Sequence, residues 1–351
     1  MPTQELRSLT LEKALCFPKK TLNFNGLDFA WEVGTYAQDF ENSKANGGIF
    51  DLSDHVILQI EGKDSEDYLQ RMTTVQFKIL DVKKVVHGAF LTGKGGVIAL
   101  GIFRKLNADT FQFLISHSNK KRVLEHIEQF HFAEQLAVTD LSTERIVFGC
   151  WSEEGSLAKA LGIDPLIDPL QIQRVKVGSS EICIWKDVRR NSLFWVEAER
   201  EVGVLWIKNC LSAGHIMLGR RLFEFFRLQA GVPWVGRELS DKDIILEANF
   251  DEAVARNKGC YPGQEVVERI FTYGQVNQKL QRVIVRGETC GSFVSPISFF
   301  QDSKEVGELV SFENSPNEVD VSVGLMWVKK IFWNSPSVWL SSSGLKATLV
   351  C

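Results

Sequence analysis

The stretch HVILQIEGKD, residues 55–64, reads as a strand that stops and a helix that starts. Val56, Ile57, Leu58 and Ile60 make a short apolar run bounded by Gly62, which suits a strand end. Asp64 then stands as an N-cap before a helix with Tyr68, Leu69 and Met72 on one side. Strands are expected at 86–91 and 97–103, joined by Thr92-Gly93-Lys94-Gly95-Gly96, whose glycines allow a tight hairpin. A third strand, 111–116, leads into a helix from Asn119 to Phe130, where Val123, Leu124, Ile127 and Phe130 recur at helical spacing. Residues 55–140 therefore predict a split β-α-β unit of the ferredoxin-like kind.

A second pass of similar order begins at Arg145-Ile-Val-Phe-Gly149. A helix is expected at 153–161, strands near 171–177, 181–186 and 193–198, and helices at 201–209 and 216–229. Two Asp-Pro pairs between Ile163 and Leu170 separate these elements. From about residue 280 the texture changes to short alternating segments such as Val306 to Phe312 and Val319 to Met326, which suggest a small closed or sandwich-like β domain. The fold class is α+β with a β-rich C-terminal module, and 351 residues suffice for two or three domains.

The chain has no run of eighteen apolar residues, and MPTQELRSLTLEK at its start lacks a signal-peptide core, so no membrane association and a cytoplasmic location are expected. Its seven cysteines, Cys16, Cys150, Cys183, Cys210, Cys260, Cys290 and Cys351, form no CxxC pair, which argues against a disulfide framework or a zinc site. A net charge of -4 with scattered basic doublets gives no stripe for nucleic acid, and direct nucleic-acid binding is not expected.

The most distinctive segment is Lys258-Gly-Cys-Tyr-Pro-Gly-Gln-Glu265. Two glycines and a proline fix a turn around one cysteine, and a neighbouring ammonium favours thiolate. A cysteine taken alone is more often a small buried hydrophobe. The whole word, however, resembles the characteristic motif of the YgfZ family of folate-binding proteins, with Pro262 in the variable position. Arg269 and Gly274-Gln-Val-Asn-Gln-Lys279 resemble that motif's continuation. Upstream, the segment from Arg227 to Leu239 is similar to the Arg-Leu-Glu-Ala-Gly segment of the glycine-cleavage T-protein superfamily. Leu246-Glu247-Ala248, Gly48-Ile-Phe-Asp-Leu-Ser53 and Ile60-Glu-Gly-Lys-Asp64 resemble further stretches of the same superfamily.

The resemblance implies two ferredoxin-like units and a C-terminal β-barrel around a folate channel. Its domains would be 1–54 with 141–255 (discontinuous, folate-binding), 55–140 (ferredoxin-like), 256–280 (a motif-bearing connection) and 281–351 (barrel). It implies tetrahydrofolate or a derivative as cofactor, Cys260 as the catalytic residue, and Arg227, Trp234, Lys258 and Tyr261 as folate contacts, with no metal site. Arg227 could pair with a ligand carboxylate or serve a salt bridge; Trp234 could stack on a ring or be core. The implied function is support of iron-sulfur enzyme assembly or repair, and indirectly of tRNA modification, with iron-sulfur assembly proteins or client enzymes as partners. Cys260 could hold a cluster intermediate, accept an adduct or cycle through redox states.

One departure bears on the chemistry. The T-protein pattern places paired aspartates after the glycines of the 92–96 turn, where this chain has Ala99 and Leu100, and no Asp or Glu occurs from Leu91 to Leu106. Aminomethyl transfer needs a carboxylate to orient reactants and stabilise developing positive charge. The expectation is a protein that is not an aminomethyltransferase. A one-carbon transferase with a relocated acid, and a non-catalytic folate-binding scaffold, are the alternatives. The T-protein's glycine- and tyrosine-rich folate loop has no counterpart in Trp185 to Glu199.

Overall fold

The computed structural model describes residues 20–24, 27–152, 168–274, 276–287, 296–334 and 338–350. The expected helix at 153–161 and part of the Asp-Pro loop lie outside them, as do Cys16, Cys290 and Cys351. A hairpin of β1 (Lys20–Phe24) and β2 (Leu27–Glu32) comes first, then α1 (Tyr36–Ala45), whose Thr35 cap accepts from the Gln38 amide, and β3 (Gly48–Asp51). The sequence-predicted unit follows: β4 (His55–Glu61), α2 (Ser65–Met72), β5 (Val85–Leu91), β6 (Val97–Lys105), β7 (Thr110–Ser116), α3 (Lys120–Gln129) and β8 (Ala137–Asp140).

These strands form one sheet in the order β5-β6-β7-β4-β8. The last four reproduce the ferredoxin-like order, with β5 added at the edge. Burial follows the pattern read from the sequence: Val56, Leu58 and Ile60 of β4 and Tyr68 and Leu69 of α2 are fully buried. The Asp64 carbonyl accepts from Tyr68 as an N-cap should, but its carboxylate is taken by the Gln135 amide at 2.7 Å.

The second sheet comprises β9 (Arg145–Trp151), β10 (Ile172–Val177), β11 (Ser180–Lys186), β12 (Leu193–Glu199) and β13 (Met217–Leu218), with β3 inserted, in the order β10-β11-β12-β9-β3-β13. Its first five positions repeat the order of the first sheet, β3 taking the place of β8. α4 (Arg200–Ser212) covers one face, packing Trp206, Ile207 and Cys210 on Phe148, Ile184 and Val196. The helix expected at 216–229 starts only at Arg220, as α5 (Arg220–Gln229). Met217 and Leu218 instead pair in parallel with Ile49 and Phe50. A strand partner from 168 residues away overrides the local helical pattern, which is a tertiary effect no sequence window contains.

After α6 (Gln264–Tyr273), strands β14 (Gln278–Arg286), β15 (Ile297–Gln301), β16 (Lys304–Asn314), β17 (Val321–Lys329), β18 (Trp339–Ser341) and β19 (Lys346–Leu349) close into a barrel around Val283, Phe299, Leu309, Met326 and Trp339. Closure removes the edge strands that an open sheet would expose. By its contacts the chain falls into two compact units. One holds described residues of 20–69, 77–87 and 101–223; the other holds 70–76, 88–100 and 224–350. Among the described residues no helix is long and apolar enough to cross a membrane.

Candidate functional site

In the second unit, Tyr261-Pro262-Gly263-Gln264 forms a tight turn closed by the Gln264 amide on the Tyr261 carbonyl at 3.2 Å. Gly263 sits at φ 81° and ψ 0°, the third position of a type II turn, where glycine is favoured and proline precedes it naturally. Glycine is required there twice over. A Cβ would lie 2.7 Å from both Gly95 Cα and the Thr92 carbonyl oxygen, so the turn rests backbone to backbone on the 92–96 hairpin. The chain leading into it is stitched to residues 73–76. Ala255 N–H donates to Thr74 O, Thr74 Oγ1 to Ala253 O at 2.6 Å, and Gln76 Nε2 to Asn257 O.

This framework holds Cys260 exposed, whereas Cys150, Cys183 and Cys210 are buried. Burial pushes the Cys150 thiol well up and that of Cys210 to about 12, which keeps both protonated. Lys258 is tied to backbone carbonyls. Its Nζ donates to the carbonyl oxygens of Thr73 and, at 2.7 Å, Val75, and lies 5.0 Å from the centre of the Tyr261 ring. Burial lowers its pKa to about 7. Tyr261 is 7% exposed. Its hydroxyl has no hydrogen-bond partner among the described residues, and burial followed by the charge of Glu268 pushes it up to about 12.

Arg227, expected as a folate anchor, is 0% exposed in the same unit. Nε donates to Glu224, Nη1 to the Val232 carbonyl and Glu238, and Nη2 to Glu238 at 2.9 Å, which uses four of its five N–H donors inside the chain. Burial opposes the charge, but Glu224 and Glu238 outweigh it and raise the Arg227 pKa. Glu238 also accepts from Ser311 and from the Trp234 amide. The Trp234 ring, 8% exposed, lies 5.5 Å from the guanidinium. Arg227 is therefore the centre of a closed ion network, and Trp234 packs on that network. The i,i+3 spacing of Glu224 and Arg227 was a legible hint; Glu238, eleven residues on, was not.

In the first unit, strands of both sheets line a cavity of about 10 Å³. Arg104, Gln112, Glu197 and Trp185 supply its polar atoms. Arg104 Nε donates to Gln112 at 2.7 Å, while Arg104 Nη2 and Arg145 Nε both approach the Glu197 carboxylate. Sequence reading missed these residues because they meet only across strands.

Residues 10–151 match the family described as the GCVT N-terminal domain. The solved structure of glycine cleavage system aminomethyltransferase T from Bartonella henselae superposes with a TM-score of 0.80, covering 94% of this chain and 92% of that one at 15% identity. The chain has the T-protein fold. An aminomethyltransferase of Oceanobacillus iheyensis is 23% identical across 87% of this chain and 85% of its own length. A chloroplastic protein of Arabidopsis thaliana, named provisionally as a transferase, is 24% identical over 80% of this chain. The chain spans 65% of the length of that plant relative, a little under two thirds. Together these findings support the T-protein superfamily.

Within the T-protein fold the departure on β6 takes structural form. Ala99 is fully buried and Leu100 half-buried. The backbone of residues 240–247 meets the start of β6, where the Asp243 carbonyl accepts from Val97 at 3.1 Å. The Asp243 carboxylate is held by the Ser240 amide and hydroxyl, and Glu247 accepts from the Ile244 amide. Burial raises the Glu247 pKa, with the charge of Asp243 adding to it.

Proposed function

We propose that this protein is a folate-binding factor of the YgfZ type, which supports assembly or repair of iron-sulfur enzymes and through them tRNA modification, and that it is not an aminomethyltransferase. The observation that carries the reading is Cys260: an exposed thiol on a turn that Gly263 and the 73–76 stitches hold rigid. Rigid presentation suits a residue that must meet a partner or ligand. The lack of any carboxylate from Leu91 to Leu106 weighs against aminomethyl transfer. Tetrahydrofolate, when bound, would supply a carrier for one-carbon units. Tyr261, whose buried hydroxyl has no partner among the described residues, and Lys258 beside it fit a polar ligand, and they are the residues proposed to contact it. The proposed partners are iron-sulfur assembly proteins or client enzymes.

The test pairs a cell assay with calorimetry. Cys260→Ser is expected to bind tetrahydrofolate like the wild type and to fail to restore iron-sulfur enzyme activity in cells lacking the protein. Full restoration by the serine variant removes the thiol from the mechanism. A wild-type protein that binds no tetrahydrofolate removes the folate half of the reading. The second reading, a transferase with a relocated acid, rests on Glu247, a half-buried carboxylate on the segment that meets β6, whose pKa burial raises. It gains ground only if a coupled assay detects methylenetetrahydrofolate formation and Glu247→Gln abolishes it.

A further inference from the structure

Two phenylalanines stand out of the first unit where α3 ends: Phe132 is 84% exposed and Phe130 38% exposed. Single exposed apolar side chains are ordinary on a protein surface, but this pair sits on a loop that is tied down. The Phe130 amide donates to the Ile127 carbonyl at 3.2 Å and that of His131 to Glu128 at 3.4 Å. The amides of Phe132 and Ala133 donate to the Glu134 carboxylate at 3.0 and 3.2 Å. His131, between the two rings, turns inward, with Nε2 2.8 Å from the Glu134 carbonyl oxygen and its ring edge-on to buried Tyr68. The loop's far end rests on the turn after β4, where the Gln135 amide donates to Asp64 and a Cβ on Gly62 would collide with the Gln135 carbonyl oxygen. An aromatic side chain that is exposed yet held on an ordered loop loses little entropy when a partner covers it, which suits an interface anchor.

The charge around the pair selects what covers it. From Val123 to Glu144 the chain has no Lys or Arg and carries five carboxylates, Glu125, Glu128, Glu134, Asp140 and Glu144. Asp140 is spent on Lys120 at 2.8 Å and Glu134 on the loop amides, while Glu125 meets exposed Lys121 at 3.7 Å. Glu128, four residues before Phe132, is exposed; Lys63, exposed beside Gly62, is the opposing charge at the loop's base. We propose that Phe130 and Phe132 anchor a second protein whose contact surface is an apolar pocket rimmed by Lys or Arg. Anionic phospholipid and nucleic acid are repelled by such a loop. A second copy of this chain is disfavoured as well, because a two-fold contact through this face would set Glu125 and Glu128 against themselves. The surface uses neither Cys260 nor folate and stands apart from both.

The test places a photo-crosslinker at the anchor, Phe132→p-benzoylphenylalanine in the full chain, and irradiates it in the cells that make the protein. The crosslinked protein, identified by mass spectrometry and purified, should bind the unsubstituted chain in calorimetry. Its affinity should fall about tenfold or more with Phe132→Ser and about fivefold with Glu128→Lys, and should weaken steeply as salt rises. Both variants should melt with the wild type, since both side chains are exposed. No crosslink from position 132, a crosslink to another copy of this chain, or a captured protein indifferent to Glu128→Lys overturns the proposal. Binding to phosphatidylserine-containing vesicles that Phe132→Ser abolishes overturns it too, and makes the loop a lipid contact. A Phe132→Ser protein that melts several degrees lower, or fails to fold, shows that the ring packs within the chain and removes the anchor.

Discussion

Replacing Lys258 with methionine isolates the cost of a buried amine beneath the Cys260 turn. Lys258 is 8% exposed, and burial lowers its pKa from 10.5 to about 7. Between those two values the unfolded chain binds a proton that the folded chain has released. Stability therefore rises with pH from about 7 to about 10.5; the penalty is complete below that window and gone above it. Each pKa unit corresponds to about 1.36 kcal/mol, so the depression sets a ceiling of roughly 5 kcal/mol. The bonds from Nζ to Thr73 O and Val75 O favour the ammonium and work against the shift. The expected gain is then about half the ceiling, roughly 2–3 kcal/mol. Methionine orphans the same two carbonyls, but that cost does not depend on pH. Urea unfolding of both proteins from pH 6 to 10.5, followed by tryptophan fluorescence, should give a wild-type-minus-variant difference that climbs through pH 7–10 and is flat below. Parallel stability curves, within about 0.5 kcal/mol, would refute the reasoning and mean that the carbonyls hold the amine at its ordinary value.

Gly263→Ala should destabilise by about 2 kcal/mol or more, since it adds a clash with Gly95 to a left-handed φ; Gly259→Ala, with nothing within 4 Å of the new Cβ, should change the melting temperature by little. Arg227→Ala should cost about 3–5 kcal/mol in denaturant unfolding, because Glu224 and Glu238 remain buried without their counter-charge, and adding Glu238→Gln should recover part of it. A stable Arg227→Ala with selectively lost folate affinity would return that residue to the ligand. Native alkylation followed by mass spectrometry should label Cys260 well before Cys150, Cys183 and Cys210, and equal rates would contradict the burial described.

Much of the architecture was legible in local pattern. The 55–140 unit could be read because strand alternation and helical spacing are set by residues two to four apart, and the same holds for the barrel's short segments. The Pro262-Gly263 turn was equally readable, since a restricted φ followed by a permissive one is a property of those two residues. The family resemblance at Lys258–Glu265 singled out Cys260, and the structure leaves that thiol exposed.

Tertiary structure decided the rest wherever partners are distant in sequence. Residues 217–218 became a strand because β3 supplies hydrogen bonds that a helix cannot use. Lys258 met the carbonyls of Thr73 and Val75, more than 180 residues away in sequence, because a long side chain in a buried setting goes to acceptors near it in space. Arg227 was drawn into a closed network because Glu238 arrives from beyond the end of its helix. Trp185 and Glu197 line one cavity because adjacent strands bring them there. Sequence by itself fixed what is local, the periodicities, the turn and the exclusion of carboxylates from β6. Which charge meets which, and which donor is left without a partner, depends on distances that only the folded chain defines.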